Sequence, residues 1–244
     1  MSSTFSSSFL RGKTAVVTGS SAGIGAACAR ALAANGATVI GWERTVRSDA
    51  PHEVIIGDLS DLARTQELAA EIADARKIDI LVNNAGIISR GPATGITLDD
   101  WRAVMTVNLD ATFALAQAFG RSMVERGEGS VINVASLLSF QGGINVASYT
   151  ASKHAVAGLT KALCNEWAGS GVTVNAVAPG YVVTDNTEAL RADAVRMEQI
   201  SSRIPAGRWA APDDIAGPVV FLSSPAAEYV NGHVLVVDGG WMGR

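Results

Sequence analysis

The sequence predicts an α/β fold: a single Rossmann-type doubly wound domain. Its sheet has seven parallel strands with helices on both faces, and a small lid follows the sixth strand. Three observations predict it. Short β-branched runs alternate with longer Ala- and Leu-rich segments, the rhythm that right-handed βαβ crossovers turn into a parallel sheet. The runs show little in/out alternation, as strands covered on both faces do. A glycine-rich turn at residues 18–25 joins the first run to the first helical segment.

Taken in order, the first strand is expected at 14–18 and the first helix at 24–34. Strands follow at 38–42 and 54–56, then a helix at 62–75 and a strand at 80–83. A long helix is expected over 98–126, because Thr97 with Asp100 three residues on makes a capping-type start and Asp99 and Asp100 suit the helix dipole. Strand 130–134, helix 149–167 and strand 172–177 come next. Residues 184–205 are the least regular stretch and read as the lid, since insertions at the carboxyl edge of such a sheet cover the ligand crevice. Pro212 suits the first position of a helix over 212–222, whereas Pro218 should kink it. The last strand is expected at 234–237.

Composition narrows the function classes. The chain has 244 residues, 48% of them hydrophobic, so a sizeable core forms and disorder is excluded. A net charge of −4 leaves no footprint for nucleic acid or an anionic membrane. Charged residues are only 17%, which points to extra burial in an oligomer interface. Cys28 and Cys164 make no disulfide framework, and the reducing cytoplasm is the expected home. Residues 1–9 are Ser-rich and read as a disordered arm rather than a signal peptide, leaving 10–244 as the single domain. The uncharged stretch 129–152 is broken by Asn133, Gln141, Asn145 and paired glycines, so it does not span a bilayer. His52, His154 and His233 are scattered without metal-ligand spacing, and no metal site is expected.

The glycine turn carries the first chemistry. Gly19, Ser21, Ala22, Gly23, Ile24 and Gly25 sit where a strand meets a helix N-terminus. Glycines let the backbone approach a pyrophosphate, and the free N–H groups meet its charge. Such turns also occur for packing alone. Eighteen residues after Gly25, Glu43 ends the second strand, where a carboxylate can accept from the adenosine ribose hydroxyls and repel a 2′-phosphate. Arg44 beside it can turn to a phosphate, stack over adenine or remain solvated. NAD is therefore expected over NADP.

Ser136 follows the fifth strand, Tyr149 lies thirteen residues on, and Lys153 is four further. Positions i and i+4 share a helix face. A close ammonium is expected to lower the phenol from its ordinary value near pH ~10 by roughly one to three units. Alone, Y-x-x-x-K is a common surface helix pair.

Together, T-G-S-S-A-G-I-G (18–25), N-N-A-G (83–86), Asn108, Ser136, Y-T-A-S-K (149–153), P-G-Y (179–181) and V-D-G-G (237–240) resemble the short-chain dehydrogenase/reductase family, from about Leu10 onward. The resemblance implies that Tyr149 is the general acid/base, that Lys153 tunes it and binds the nicotinamide ribose, and that Ser136 donates to the substrate oxygen. It implies that Asn108 holds a water linking Lys153 to solvent. Asn83, Ala85 and Gly86 match the turn under the adenosine ribose, although Asn83 and Asn84 can equally tie strands together. Asp58 and Leu59 match the adenine pocket, and Pro179, Gly180, Val182 and Thr184 the carboxamide loop. A homotetramer is implied as well.

Within the family, S-F-Q-G-G (139–143), Asn186-Thr187 and the closing D-G-G-W (238–241) resemble the branch acting on 2-deoxy-D-gluconate and 2-dehydro-3-deoxy-D-gluconate. The implied substrate is a small sugar acid. A polyhydroxy acid needs polar partners and one cation, for which Gln141, Asn186 and Arg90 are the candidates; Arg90 can equally be an exposed loop arginine. The alternatives are an NADPH-dependent reductase of 3-oxoacyl groups on a carrier protein, and a non-catalytic dinucleotide-binding sensor.

Overall fold

The structure, a computed structural model, describes residues 8–45 and 50–244. Most of the arm expected over 1–9 lies outside them. Ser8 and Phe9 lie in a turn, and Phe9 packs on the core.

Seven strands form one sheet: β1 (Thr14–Thr18), β2 (Thr38–Glu43), β3 (Glu53–Ile56), β4 (Ile80–Asn83), β5 (Gly129–Val134), β6 (Val172–Pro179) and β7 (Val234–Val237). Their spatial order is β3-β2-β1-β4-β5-β6-β7, and every pairing is parallel. The direction of winding reverses between β1 and β4, which opens a crevice at their carboxyl ends.

Burial on both faces explains the continuous apolar runs. On β1, Ala15 and Val17 pack with helices α1 (Gly23–Ala34) and α8 (Pro212–Leu222). Val16 points the other way, into a core built on α2 (Leu62–Ala75), α4 (Ala111–Arg126) and α5 (Ala147–Trp167). Strand β4 divides likewise, with Ile80 and Val82 on one side and Leu81 on the other.

Two expectations change. The helix foreseen over 98–126 is α3 (Leu98–Met105), a π-helical turn at Thr106–Asp110 and then α4. Its start is as expected, with the Asp100 N–H donating to Thr97 Oγ1 at 3.0 Å. The stretch 184–205 is not irregular, since it holds α6 (Glu188–Ala192) and α7 (Ala194–Ser201). Only Ile200 of these helices is buried, so they lack the apolar stripe that betrays a helix in sequence. Helix α8 includes Pro218 within its span to Leu222, as expected of a helix over 212–222, and is held on the sheet by Ile215, Ala216, Val219 and Leu222. Among the described residues no helix is long and apolar enough to cross a membrane, and no cluster of metal-ligating side chains forms.

Candidate active site

A cleft of about 490 Å³ runs along the carboxyl edge of the sheet, across the β1/β4 reversal. One wall is the glycine turn, with Gly19, Ser21, Ala22, Gly23 and Ile24 facing the space. Gly25 does not face it. A Cβ there would collide with the Gly19 carbonyl and the Asn84 amide, so this glycine lets α1 close onto β1. Asn84 completes the joint, its Nδ2 donating to Thr18 O at 2.9 Å and to Gly19 O at 3.3 Å. The Thr18 hydroxyl in turn accepts from the N–H groups of Asn84 and Ala85, each at 2.9 Å. The turn and the end of β4 are thus one rigid unit, with Asn84, Ala85 and Gly86 on the cleft.

Asn83, expected in the turn beneath a ribose, is not among the residues lining the cleft. Its side chain is buried off the cleft, donating to Asn133 Oδ1 at 3.0 Å and Thr112 O at 3.4 Å. Its work is to tie β4 to β5 and α4.

At one end the cleft is lined by Glu43, Arg44, Asp58 and Leu59. Glu43 is only 4% exposed. Its Oε1 accepts from Ser20 Oγ at 2.7 Å, whereas buried Oε2 has no hydrogen-bond partner among the described residues. An orphaned buried carboxylate oxygen is costly unless a donor comes to it. A vicinal diol is such a donor, so this end fits the adenosine ribose of a nicotinamide dinucleotide. Ser60 donates to Asp58 Oδ1 through its N–H at 2.9 Å and its hydroxyl at 2.8 Å. These bonds, helped by the Arg44 charge, hold the Asp58 carboxyl below its ordinary range. His52 is not an isolated histidine: its Nε2 lies 3.2 Å from Ser20 Oγ and 3.9 Å from Glu43 Oε1. Nothing in the residue spacing could have paired it with Glu43.

At the other end stand Ser136, Tyr149 and Lys153, with Pro179, Gly180, Val182 and Thr184 alongside. Tyr149 and Lys153 share a face of α5, with Lys153 Nζ 5.5 Å from the centre of the Tyr149 ring. Ser136 caps the 3₁₀ turn Leu137–Ser139, its Oγ accepting from the Leu138 N–H at 3.1 Å. Ser139 Oγ donates to Lys153 O at 2.6 Å, bolting that turn to α5.

The electrostatics run against expectation. Burial pushes the Tyr149 phenol up, and the Ser136 hydroxyl and the Arg90 guanidinium only partly offset it. Burial pushes the Lys153 ammonium down to about 8. Lys153 is 4% exposed and gives a hydrogen bond of 2.6 Å to Val134 O, so its charge is committed to a carbonyl rather than to the phenol oxygen. Desolvation therefore outweighs the attraction that the i,i+4 spacing promised.

Asn108 lies on the π-helical turn, behind the cleft. Its Oδ1 accepts from the Ile87 N–H at 2.8 Å, and its Nδ2 donates to Ile87 O at 3.0 Å and Ser152 Oγ at 3.1 Å. The amide joins the loop after β4 to α5. Arg90 Nη2 donates to Asn186 O at 2.9 Å, linking that loop to the 184–205 segment, and Asn186 lines the cleft. Gln141 does not line it, and its Oε1 accepts from Trp241 Nε1 at 3.3 Å. Residues that sequence reasoning missed on the cleft include Gly57, Ile87 and Val107. The last two are ordinary core formers, and no chemical signal marks them.

A family model described as enoyl-(acyl carrier protein) reductase matches residues 19–242. The chain is 52% identical over 245 residues to the 2-dehydro-3-deoxy-D-gluconate 5-dehydrogenase of Bacillus subtilis (strain 168), covering 96% of each chain. Among solved structures, it is similar to one described as an NAD(P)-dependent gluconate 5-dehydrogenase from Beutenbergia cavernae with bound NADP at low occupancy. That likeness has a TM-score of 0.93 and 54% identity and covers 96% of this chain and 98% of that one. It is also similar to one described as a 2-deoxy-D-gluconate 3-dehydrogenase from Agrobacterium tumefaciens with bound NADP. There the TM-score is 0.92 and the identity 50%, covering 98% of this chain and 100% of that one.

Proposed function

The chain belongs to the short-chain dehydrogenase/reductase family, and from that premise we propose that it interconverts a secondary alcohol and a ketone on a deoxy- or keto-sugar acid of the 2-dehydro-3-deoxy-D-gluconate type. The observation that carries the reading is the meeting of Ser136, Tyr149 and Lys153 at one end of a cleft whose other end offers a glycine turn and a free carboxylate oxygen. The full-length likeness to sugar-acid dehydrogenases supports the substrate class.

The nicotinamide cofactor, when bound, supplies or accepts the hydride. The chain's own residues do the rest. In reduction the Tyr149 hydroxyl gives its proton to the substrate oxygen, and in oxidation the phenolate takes the hydroxyl proton. Ser136 Oγ donates a hydrogen bond to the same oxygen. Lys153 stays close enough to Tyr149 to stabilise the phenolate once the proton has left. Asn108 keeps the floor beneath Lys153 in place, and the water-holding role implied for it stays part of this proposal. Arg90, already joined to Asn186, is the cation for the substrate carboxylate, with segment 184–205 closing over it as a lid.

NAD is the proposed cofactor because a 2′-phosphate would face the buried Glu43 carboxylate. NADP is the second reading. Two similar structures hold it, and Arg44 lies on the cleft beside Glu43. A cytoplasmic homotetramer completes the proposal. The test is an initial-rate screen of sugar acids, neutral sugars and a 3-oxoacyl ester with NAD(H) and NADP(H) side by side. A sugar acid should give the highest kcat/KM. A preference for the oxoacyl ester with NADPH would transfer the assignment to carrier-protein acyl reduction. Arg90→Ala should raise KM for the sugar acid more than for a neutral ketone, and equal effects would remove Arg90 from the substrate site.

A further inference from the structure

A buried chain of polar groups sits behind the adenosine end of the cleft. Ser20 Oγ has one hydrogen and gives it to Glu43 Oε1 at 2.7 Å. It can then only accept from His52, 3.2 Å away, so His52 carries its proton on Nε2 and donates it. The order is His52 to Ser20 to Glu43. The side chains of His52 and Glu43 are 8% and 2% exposed, so the chain is shielded from competing water.

Two further features show that the arrangement is built in. A Cβ on Gly41 would collide with Ser20 Oγ and come within 2.7 Å of His52 Nε2, so glycine at this strand position makes room for the pair. A small second cavity of about 210 Å³ lies between Glu43, His52 and Arg30. Arg30, whose guanidinium pairs with Asp213 at 3.3 Å, lines this cavity opposite Glu43. An untethered Glu43 side chain therefore has somewhere to turn.

We propose that His52 and Ser20 are positioning residues that hold Glu43 out of this second cavity, and that the pair thereby sets how strongly the enzyme distinguishes a free ribose 2′-hydroxyl from a 2′-phosphate. Tethered, Glu43 offers a fixed acceptor to the diol and a fixed negative charge to a phosphate. Released, it swings toward Arg30, losing the diol and vacating the place a phosphate needs. The inference rests on the reading that the cleft takes a nicotinamide dinucleotide.

The experiment is calorimetric titration of NADH and of NADPH into the wild type and into Ser20→Ala, His52→Phe and His52→Gln, with thermal melts as a check on folding. The ratio of Kd for NADPH to Kd for NADH should fall about tenfold in Ser20→Ala and in His52→Phe, the size of one hydrogen bond to a charged group, chiefly through weaker NADH. His52→Gln retains an N–H donor and should restore most of the ratio. A Ser20→Ala/His52→Phe double variant should lose no more than Ser20→Ala, because His52 acts through Ser20. An unmoved ratio in either single variant, or equal weakening of both nucleotides, overturns the proposal while leaving the dinucleotide reading intact. Failure of the wild type to bind either nucleotide overturns both.

Discussion

Tyr149 and Lys153 occupy the positions their spacing required, yet each is shifted by burial away from its charged form. Burial thus favours the neutral form of both groups, the phenol over the phenolate and the amine over the ammonium. Tyr149→Phe should lower kcat by about 10²–10⁴ while leaving NADH titration intact. Equal inactivity of wild type and variant across a broad carbonyl panel would favour the sensor reading. Lys153 also makes a stability prediction. Its folded value, about 8, lies below the ordinary 10.5, so between these values the unfolded chain binds more protons and stability rises with pH. Cys28, pushed up to about 12 from 9.0, acts in the opposite sense from about one unit below pH 9 upward, and the raised Tyr149 does so at higher pH still. Between pH 8 and 9 the lysine effect outweighs the cysteine effect, so urea melts should show a net rise of roughly half of about 1.4 kcal/mol per pH unit, which Lys153→Met turns into a fall.

At the scale of elements, a π-helical turn between α3 and α4 carries Asn108 into the space between the loop after β4 and α5. Uniform apolar and polar patterning across 98–126 reads as one helix, because a widened turn changes backbone hydrogen bonding and not side-chain type. The consequence is a three-bond clamp beneath the Tyr149 end of the cleft. Asn108→Ala should cost about 2–4 kcal/mol in chemical denaturation, since the Ile87 N–H and C=O both lose partners. It should lower kcat without abolishing it, in contrast to Tyr149→Phe. The two helices of segment 184–205 were illegible for a different reason: they are short and mostly exposed, so solvation more than packing sets their residues. Strands β1, β4 and β7 were legible to the residue, since each is a short run dominated by apolar, mostly β-branched residues between polar or glycine-rich connections.

For the whole molecule, the reversal of winding between β1 and β4 decides where the cleft lies, and the glycine turn and Asn84 fasten the two strands together there. Exposed apolar groups remain outside the cores described, among them Phe113 on α4, 43% exposed, and Phe140, 44% exposed. Light scattering on the purified protein should give about four times the 25.2 kDa chain mass. A monomer mass would remove the tetramer from the proposal.

By itself the sequence determined the alternation of strand and helix, the glycine turn at the first crossover, and the one-turn spacing of Tyr149 and Lys153. All three are local: they follow from period, turn chemistry and helix geometry, which neighbouring residues specify. Only the tertiary structure decided that Asn83 and Gly25 stand off the cleft wall, that Asn108 joins Ile87 to Ser152, that His52 reaches Glu43, and that burial overrides the lysine's pull on the phenol. Those outcomes depend on which distant segments exclude water from a given atom, and desolvation is a property of the assembled surroundings rather than of any stretch of chain.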